Sequence, residues 1–379
     1  MLKTLALLTP IFVNLIGSIF LVYGSDEKYK NRRFLALFMF NSVLLFIGHF
    51  MVFHDYVWPF RFYDFIFLAS LLSFYPLYLL YVRSVFEVKV SLKYYWLHFL
   101  PGIICSTLSL LFSLMADRFT FVEYLNRTMD TSIGSSSWLS AALFYTYYWS
   151  RMIHIFQIVV YNVWILWYIR KNWQMLNEFF SNTDKIQPQY FFRITVSFLL
   201  LMALPGILVT IIGRVPFVEH AFMLPVTCLL FSIMYVIVGV HGMKQIPVAS
   251  EVVDEDELSF VEVYPNTIEE VKDKLFSYFE NEEPWRNTDL KIWDVAMALG
   301  TNRTYVSRVI NEELGSNFND FVKDYRMREA MRILKDDGQQ QLALQTVAIM
   351  SGFGSMASFI RAFKQLTGKT PSSFRKENI

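Results

Sequence analysis

Cysteine is almost absent. Only two occur in 379 residues, Cys105 and Cys228, each inside an apolar run. That argues against a disulfide framework and against a thiolate metal site. Histidine is sparse as well, at six. No HExxH, paired acidic or nucleophile motif is present. The chain is therefore expected to be no enzyme, with no catalytic residues, no metal and no cofactor. Charge is scarce too, at 18% against 54% hydrophobic residues, with aromatics at a further 18% within that share and 37 Phe among them. So little charge over so long a chain excludes a uniformly soluble protein. A cleavable leader is not expected either. Leu5–Val22 is too long for a signal-peptide core, and no small-x-small site follows it.

What charge there is divides unevenly. Through Met243 there are 17 Lys/Arg and 11 Asp/Glu, hence +6; from Lys244 onward there are 17 and 22, hence −5, and the two sum to the net +1. The apolar residues crowd into the first part. The chain is expected to be all-α, with a membrane domain over 1–243, an acidic linker over 244–266 and a soluble domain over 267–379.

Seven apolar stretches approach the roughly 20 residues needed to cross a bilayer as a helix. They are Leu5–Tyr23, Phe34–Phe53, Phe62–Val82, Tyr94–Met115, Met152–Ile169, Phe191–Ile212 and Phe217–Val240. Open strands would leave backbone groups unpaired in lipid, so helices are the reading. Trp138–Trp149 is aromatic but short, and is taken as an interfacial segment leading into the fifth span. Alternate loops carry 11 and 6 Lys/Arg. The richer set, including Arg32, Arg33, Arg83, Arg170 and Lys171, is expected to face the cytoplasm. With seven spans the N-terminus then lies outside and the soluble domain inside. His49, His54, Asp55, Asp64, Arg151 and His154 are the ionisable groups in or beside the spans. They are expected at the interfaces, and the sequence points to no ligand-binding residue. Pro76, Pro205 and Pro225 each remove a backbone donor within a span.

Residues 244–287 hold 4 basic and 12 acidic residues, hence −8. Asp254 and Asp256 hint at a calcium loop, but its central glycine and distal glutamate are missing. A solvated spacer is expected there.

From Thr267 the pattern is one of successive amphipathic helices. Leu290–Leu299 presents Ile292, Val295, Ala296 and Leu299 on one face, and Gly300 closes it. Asn302 is placed to cap a second helix, Arg303–Glu313. Val306, Val309 and Ile310 form its inner face, which leaves Arg303, Thr304, Ser307 and Arg308 outward as donors to bases and phosphates. The small residue at Ala296 and the glycine four positions later have the spacing of a helix-turn-helix. The arrangement then returns. A helix Phe318–Lys335, capped by Asn317, leads to Ala348 and Gly352, and a helix Ser355–Leu366 follows. Phe359 and Phe363 face inward; Met356, Ala357, Ser358, Arg361 and Lys364 are left outward.

Two strings, GFGSMASFIRAFKQLTGKTPSSFR and YVSRVINEELGSNFNDFVKDYRMREAMRIL, make residues from about Val271 to Ile379 resemble the AraC/XylS-type DNA-binding domain. The resemblance implies seven helices and two helix-turn-helix units entering successive major grooves. A connecting helix of about 17 residues spans roughly 25 Å, compatible with grooves about 34 Å apart. Met356 and Ala357 are apolar where the more polar members carry donors, which weakens base reading by the second unit.

The expected protein is a membrane-bound one-component transcriptional regulator of the bacterial inner membrane. Its expected partners are promoter DNA, the lipid bilayer, a second copy of itself, a small-molecule or membrane signal, and RNA polymerase. Two alternatives remain open at this point: a transporter or enzyme whose DNA-binding tail reports its state, and a passive anchor. Residues 288–379 carry 13 basic and 10 acidic residues, only +3. So mild a footprint makes avidity from dimerisation the expected source of affinity.

Overall fold

The computed structural model describes residues 2–25, 29–87, 92–129, 134–182, 188–212, 222–245, 267–336 and 342–377. The linker from residue 246 to 266, with Asp254 and Asp256, lies outside them. The chain forms two compact units: residues 1–169 with 189–250, and residues 170–188 with 251–379. Both are helical, and no strand occurs among the described residues.

Among the described residues, seven helices are long and apolar enough to cross a membrane, all lying wholly or mainly in the first unit. They are α1 (Leu2–Tyr23), α2 (Lys30–Phe53), α4 (Asp64–Phe86), α6 (Leu100–Met115), α8 (Trp138–Phe179), α9 (Pro188–Ile212) and α10 (Met223–Lys244). Short helices α3 (Val57–Arg61), α5 (Leu92–Tyr95) and α7 (Arg118–Met129) lie between them, and a 3-10 turn, Trp96–Phe99, leads into α6. Each of the seven expected stretches overlaps one of the long helices; the start of Phe217–Val240 lies outside the described residues, and Tyr94–Phe99 falls on α5 and the 3-10 turn before α6. Trp138–Trp149, however, is no separate segment. It forms the first turns of α8, because the 42 residues from Trp138 to Phe179 contain neither glycine nor proline to interrupt them. That helix is about 63 Å long at 1.5 Å per residue. The amphipathic helix α7 was not anticipated.

The unit is built inside-out. Apolar side chains such as Phe12, Ile16, Ile104, Leu111, Val163, Leu204 and Ile233 point outward, while Asn14, Ser18, Asn41, Ser42, Ser70, Gln157 and Ser232 are buried. In water this distribution would be costly; beside lipid it is the favourable one, since small and polar residues are what hold apolar helices together. α4 is the most enclosed helix, and α2 packs between it and α1. Phe38 sits edge-on to Phe74 and Tyr78, at 4.9 and 5.1 Å between ring centres. Polar ties cross between helices. Asn41 Nδ2 donates to Ser70 O at 2.9 Å, Gln157 Nε2 to Leu72 O at 3.0 Å, and the Tyr235 hydroxyl to Ser42 Oγ at 2.9 Å.

The second unit has two apolar cores strung on one helix. α11 (Ile268–Asn281), α12 (Ile292–Ala298) and α13 (Arg303–Arg308) build the first with Phe318, Phe321 and Val322. α15 (Leu344–Met350) and α16 (Met356–Thr367) build the second with Met327, Ala330, Ile333 and Leu334, and Phe374 of α17 (Pro371–Glu377) packs against it. The shared helix is α14, Phe318–Lys335, capped by the Asn317 side chain, which accepts from Asp320 N at 2.9 Å.

The Tyr235–Ser42 tie gives a direct test. Ser42→Ala strands a buried phenol and should lower the stability of the lipid-embedded protein by about 0.6–2 kcal/mol. Adding Tyr235→Phe should cost less than the sum of the two single changes, because the partner is already gone. Unfolding of the four variants in denaturing detergent measures the difference.

Candidate nucleic-acid interface

The two helix-turn-helix units are made by the same turn. α12 ends at the cap Leu299, and Gly300 follows at φ +62°. There the Gly300 N–H donates to Met297 O at 3.1 Å and the Thr301 N–H to Ala296 O at 3.0 Å. α15 ends at Ser351, and Gly352 follows at φ +77°; its N–H donates to Ile349 O and the Phe353 N–H to Ala348 O, each at 2.9 Å. Both are Schellman motifs. The alanine–glycine spacing of four is thus the distance from the carbonyl that accepts the last bond to the residue that must take positive φ. Residues 299–302 separate the first pair of helices and 351–355 the second, so the second turn is one residue longer. A side chain then caps each second helix. Asn302 Oδ1 accepts from Tyr305 N and Ser355 Oγ from Ser358 N, both at 3.1 Å.

On α13 the inner face is as expected: Val306, Val309 and Ile310 are fully buried, each contributing about 1.5–3 kcal/mol. The helix does not run to Glu313 as a regular α-helix. Val309–Glu313 is a π turn, with Leu314 N donating to Val309 O at 3.1 Å. The extra residue widens the turn where Val309 and Ile310 both enter the core.

The outer face brings Arg303, Thr304, Ser307 and Arg308 together around one recess of 250 Å³. Thr304 and Arg308 are exposed; Ser307 is half-buried and accepts from Asn311 Nδ2 at 3.1 Å. Arg308 Nε bonds Glu312 Oε2 at 2.7 Å, an exposed pair that costs little to open. Arg303 is less free than expected. Its guanidinium lies over the rings of Phe179 and Trp293, at 4.5 and 5.1 Å. Glu178 and Phe179 share the recess.

On α16, Ala357, Arg361 and Lys364 are exposed. Ser358 is half-buried, and its hydroxyl returns to Ser355 O at 2.8 Å. Met356 is a correction: it packs against the second core rather than facing outward. At the first position of the helix its long side chain reaches back over the preceding turn, as helical side chains do. Ile360, not anticipated, is exposed in its place.

What fixes the two units on their connecting helix was not visible from helix faces. Arg326 is 3% exposed. Its Nε donates to Trp285 O at 2.8 Å, Nη2 to Asn287 O at 2.8 Å, and Nη1 and Nη2 to Ser181 O and Oγ at 3.1 Å. Burial pushes its pKa down to about 10, still far above neutrality. Gly352 presses on the same place: a Cβ there would meet the Trp285 carbonyl. Residues 178–182 belong to this fold as well. Phe180 forms a backbone bridge with Lys291, Ser181 N donates to Leu290 O at 3.2 Å, and Asn319 Nδ2 donates to Phe180 O at 3.0 Å.

A second tie is Glu329. It accepts from Arg332 Nε at 2.7 Å and from Arg286 Nη2 at 3.0 Å, while Arg286 Nη1 reaches Met350 O at 2.9 Å, on the last residue of α15.

Residues 295–377 match the model of a helix-turn-helix domain. A probable transcription factor of Proteus vulgaris, PqrA, is 30% identical over 91 residues, 24% of this chain and 72% of that one. The chain belongs to the AraC-type helix-turn-helix regulators. The regulator GlxA of Rhizobium meliloti is 33% identical over 84 residues, which cover only 25% of its length. The Msm operon regulatory protein of Streptococcus mutans is 27% identical over 90 residues, 31% of its length. No solved structure matches the chain. Regulators of this kind bind double-stranded DNA, and residues 295–377 form a helix-turn-helix domain of that kind; the chain spans only a quarter of the length of GlxA.

The Glu329 network carries a pH signature. The Arg332 and Arg286 groups hold the Glu329 carboxyl below its ordinary value of 4.5. A depressed carboxyl stabilises the fold above its unfolded pKa and loses that contribution as pH falls through the folded value. Glu329→Gln should therefore cost about 1–3 kcal/mol at pH 7. The gap between the two proteins should close as pH drops below 4.5. Thermal unfolding of both from pH 7 to pH 3 checks it.

Proposed function

We propose that the protein is a one-component transcriptional regulator held in the bacterial inner membrane, its seven-helix unit sensing a signal and its helix-turn-helix units binding a promoter. The observation that carries this is the repeated turn: two recognition helices, set by the same hydrogen bonds, share one 18-residue connecting helix. At about 27 Å that helix suits units that address successive major grooves.

Residue roles follow from exposure. Arg308, Thr304 and Ser307 read base edges, with Arg308 leaving Glu312 for guanine. The face of Arg303 is held by two rings, so it serves phosphate through its guanidinium edge. Arg361 and Lys364 hold the backbone of the second groove, beside the apolar Ala357 and Ile360. Specificity thus rests mainly on the first unit. A homodimer joins two such weakly basic domains on one operator, where RNA polymerase is the further partner. The inside-out packing supports insertion in lipid, and the basic loops support an external N-terminus with the DNA-binding domain in the cytoplasm. A partly open apolar cavity among the helices of the bundle supports sensing over passive anchoring.

Genome-wide mapping of DNA bound by the intact protein tests the reading and supplies the operator. On that operator, Arg308→Ala should cost about 1–3 kcal/mol and relax preference at one base pair. Lys364→Ala should weaken all sequences alike and reduce the salt slope by about one. Unchanged preference in Arg308→Ala would reverse the assignment of the first helix. Orientation has its own test. A reporter fused after Lys244 should be active only in its cytoplasmic form, and periplasmic activity there would overturn the model.

A further inference from the structure

The recess on the outer face of α13 has a second wall. Arg303, Thr304, Ser307 and Arg308 form one side of it, and Glu178 and Phe179, the last residues of α8, line it with them. All six belong to the second unit. Phe179 is half-buried and packs against the first core. The Arg303 guanidinium lies 4.5 Å from its ring centre. Glu178, also half-buried, adds a carboxylate to this side of the recognition helix. The next two residues are fastened through their backbone. Phe180 is bridged to Lys291, Ser181 N donates to Leu290 O, and Ser181 O accepts from Arg326 Nη1. The segment is thus anchored at 180–181, while Phe179 meets α13 through its ring. On α16, by contrast, Ala357, Arg361 and Lys364 are exposed.

We propose that Glu178 and Phe179 form an autoinhibitory latch over the first recognition helix, and that this helix reads DNA only after the last turn of α8 lifts from Arg303. The inference rests on reading α13 as a helix that enters a major groove. Size carries the argument. A helix with its side chains is about 10–12 Å across, and the major groove is about 12 Å wide. α13 alone fills such a groove; α13 with the end of a second helix beside its reading face does not fit. Charge acts in the same direction, because docking would bring the Glu178 carboxylate toward phosphates. The anchor at 180–181 makes release a local event. The last turn of α8 can swing about it without undoing the bridge to Lys291 or the bonds of Arg326. A cation–π contact is modest in strength, so the latch can open. Apparent affinity for DNA then follows the fraction of molecules that are unlatched.

The test uses the full chain in phosphatidylcholine nanodiscs, titrated with a fluorescein-labelled duplex of the mapped operator. Phe179→Ala should tighten operator binding about tenfold, and Glu178→Gln should tighten it by less. A reversible bridge examines the closed state, and keeps the proposal testable if Phe179→Ala does not fold. In a Cys105→Ala, Cys228→Ala background, Glu178→Cys and Asn311→Cys place two thiols on the recess, which both residues line. A bismaleimide with a central disulfide joins them. The bridged chain should bind the operator about tenfold more weakly than the same chain after the linker is cleaved by reductant. Cleavage leaves both halves of the linker attached, so the added bulk is equal in the two states. Equal affinity bridged and cleaved, or no gain in either Phe179→Ala or Glu178→Gln, would overturn the latch and leave the regulator standing. No operator binding in any variant, bridged or cleaved, would remove the DNA-reading role of α13 and the latch with it.

Discussion

A buried guanidinium is expensive unless every one of its directions is answered, and Arg326 answers them with backbone carbonyls and a serine hydroxyl. The carbonyls of Trp285, Asn287 and Ser181 converge on it. Arg326 sits on the connecting helix between the residues of the first core and those of the second. The cost of removing one charge from water is offset by its hydrogen bonds to the carbonyls of Trp285, Ser181 and Asn287. The turn at Gly352 closes onto the same carbonyl of Trp285. The second reading head is therefore seated on the first through backbone, where side-chain flexibility cannot blur it.

The membrane-type unit solves the opposite problem. Its exterior needs nothing but carbon, and its interior must be specified without a hydrophobic drive. Serines, asparagines and phenols supply that specification, as in the Asn41–Ser70, Gln157–Leu72 and Tyr235–Ser42 ties. The same arrangement tolerates Arg151 inside the bundle, a group that would have been unremarkable on a soluble surface.

The parts of this fold that repeat along the sequence were legible there. Hydropathy located all seven long helices, since length and composition alone define them. The pairs Ala296–Gly300 and Ala348–Gly352 announced their turns because a Schellman motif is local. Long-range pairing was not legible. Nothing near Arg326 names Ser181 as its partner, and nothing near Phe179 says that it will lie against Arg303. Met356 was placed outward by helical period alone, which fails at a first turn where the side chain leans back over the cap. The aromatic run at Trp138 was set apart for its shortness, although the missing glycine and proline through Phe179 already argued for one helix.

The bridge between Phe180 and Lys291 has a consequence for how the molecule comes into being. Lys291 is made 111 residues after Phe180 (291 − 180). At about 5–20 residues per second, translation leaves Phe180 waiting roughly 6–20 s for its partner. In that interval α9 and α10 emerge and must be placed. Residues 178–182 exist before the domain they complete. The DNA-binding unit thus has a birth order: it begins before the last two apolar helices are made and closes only after them.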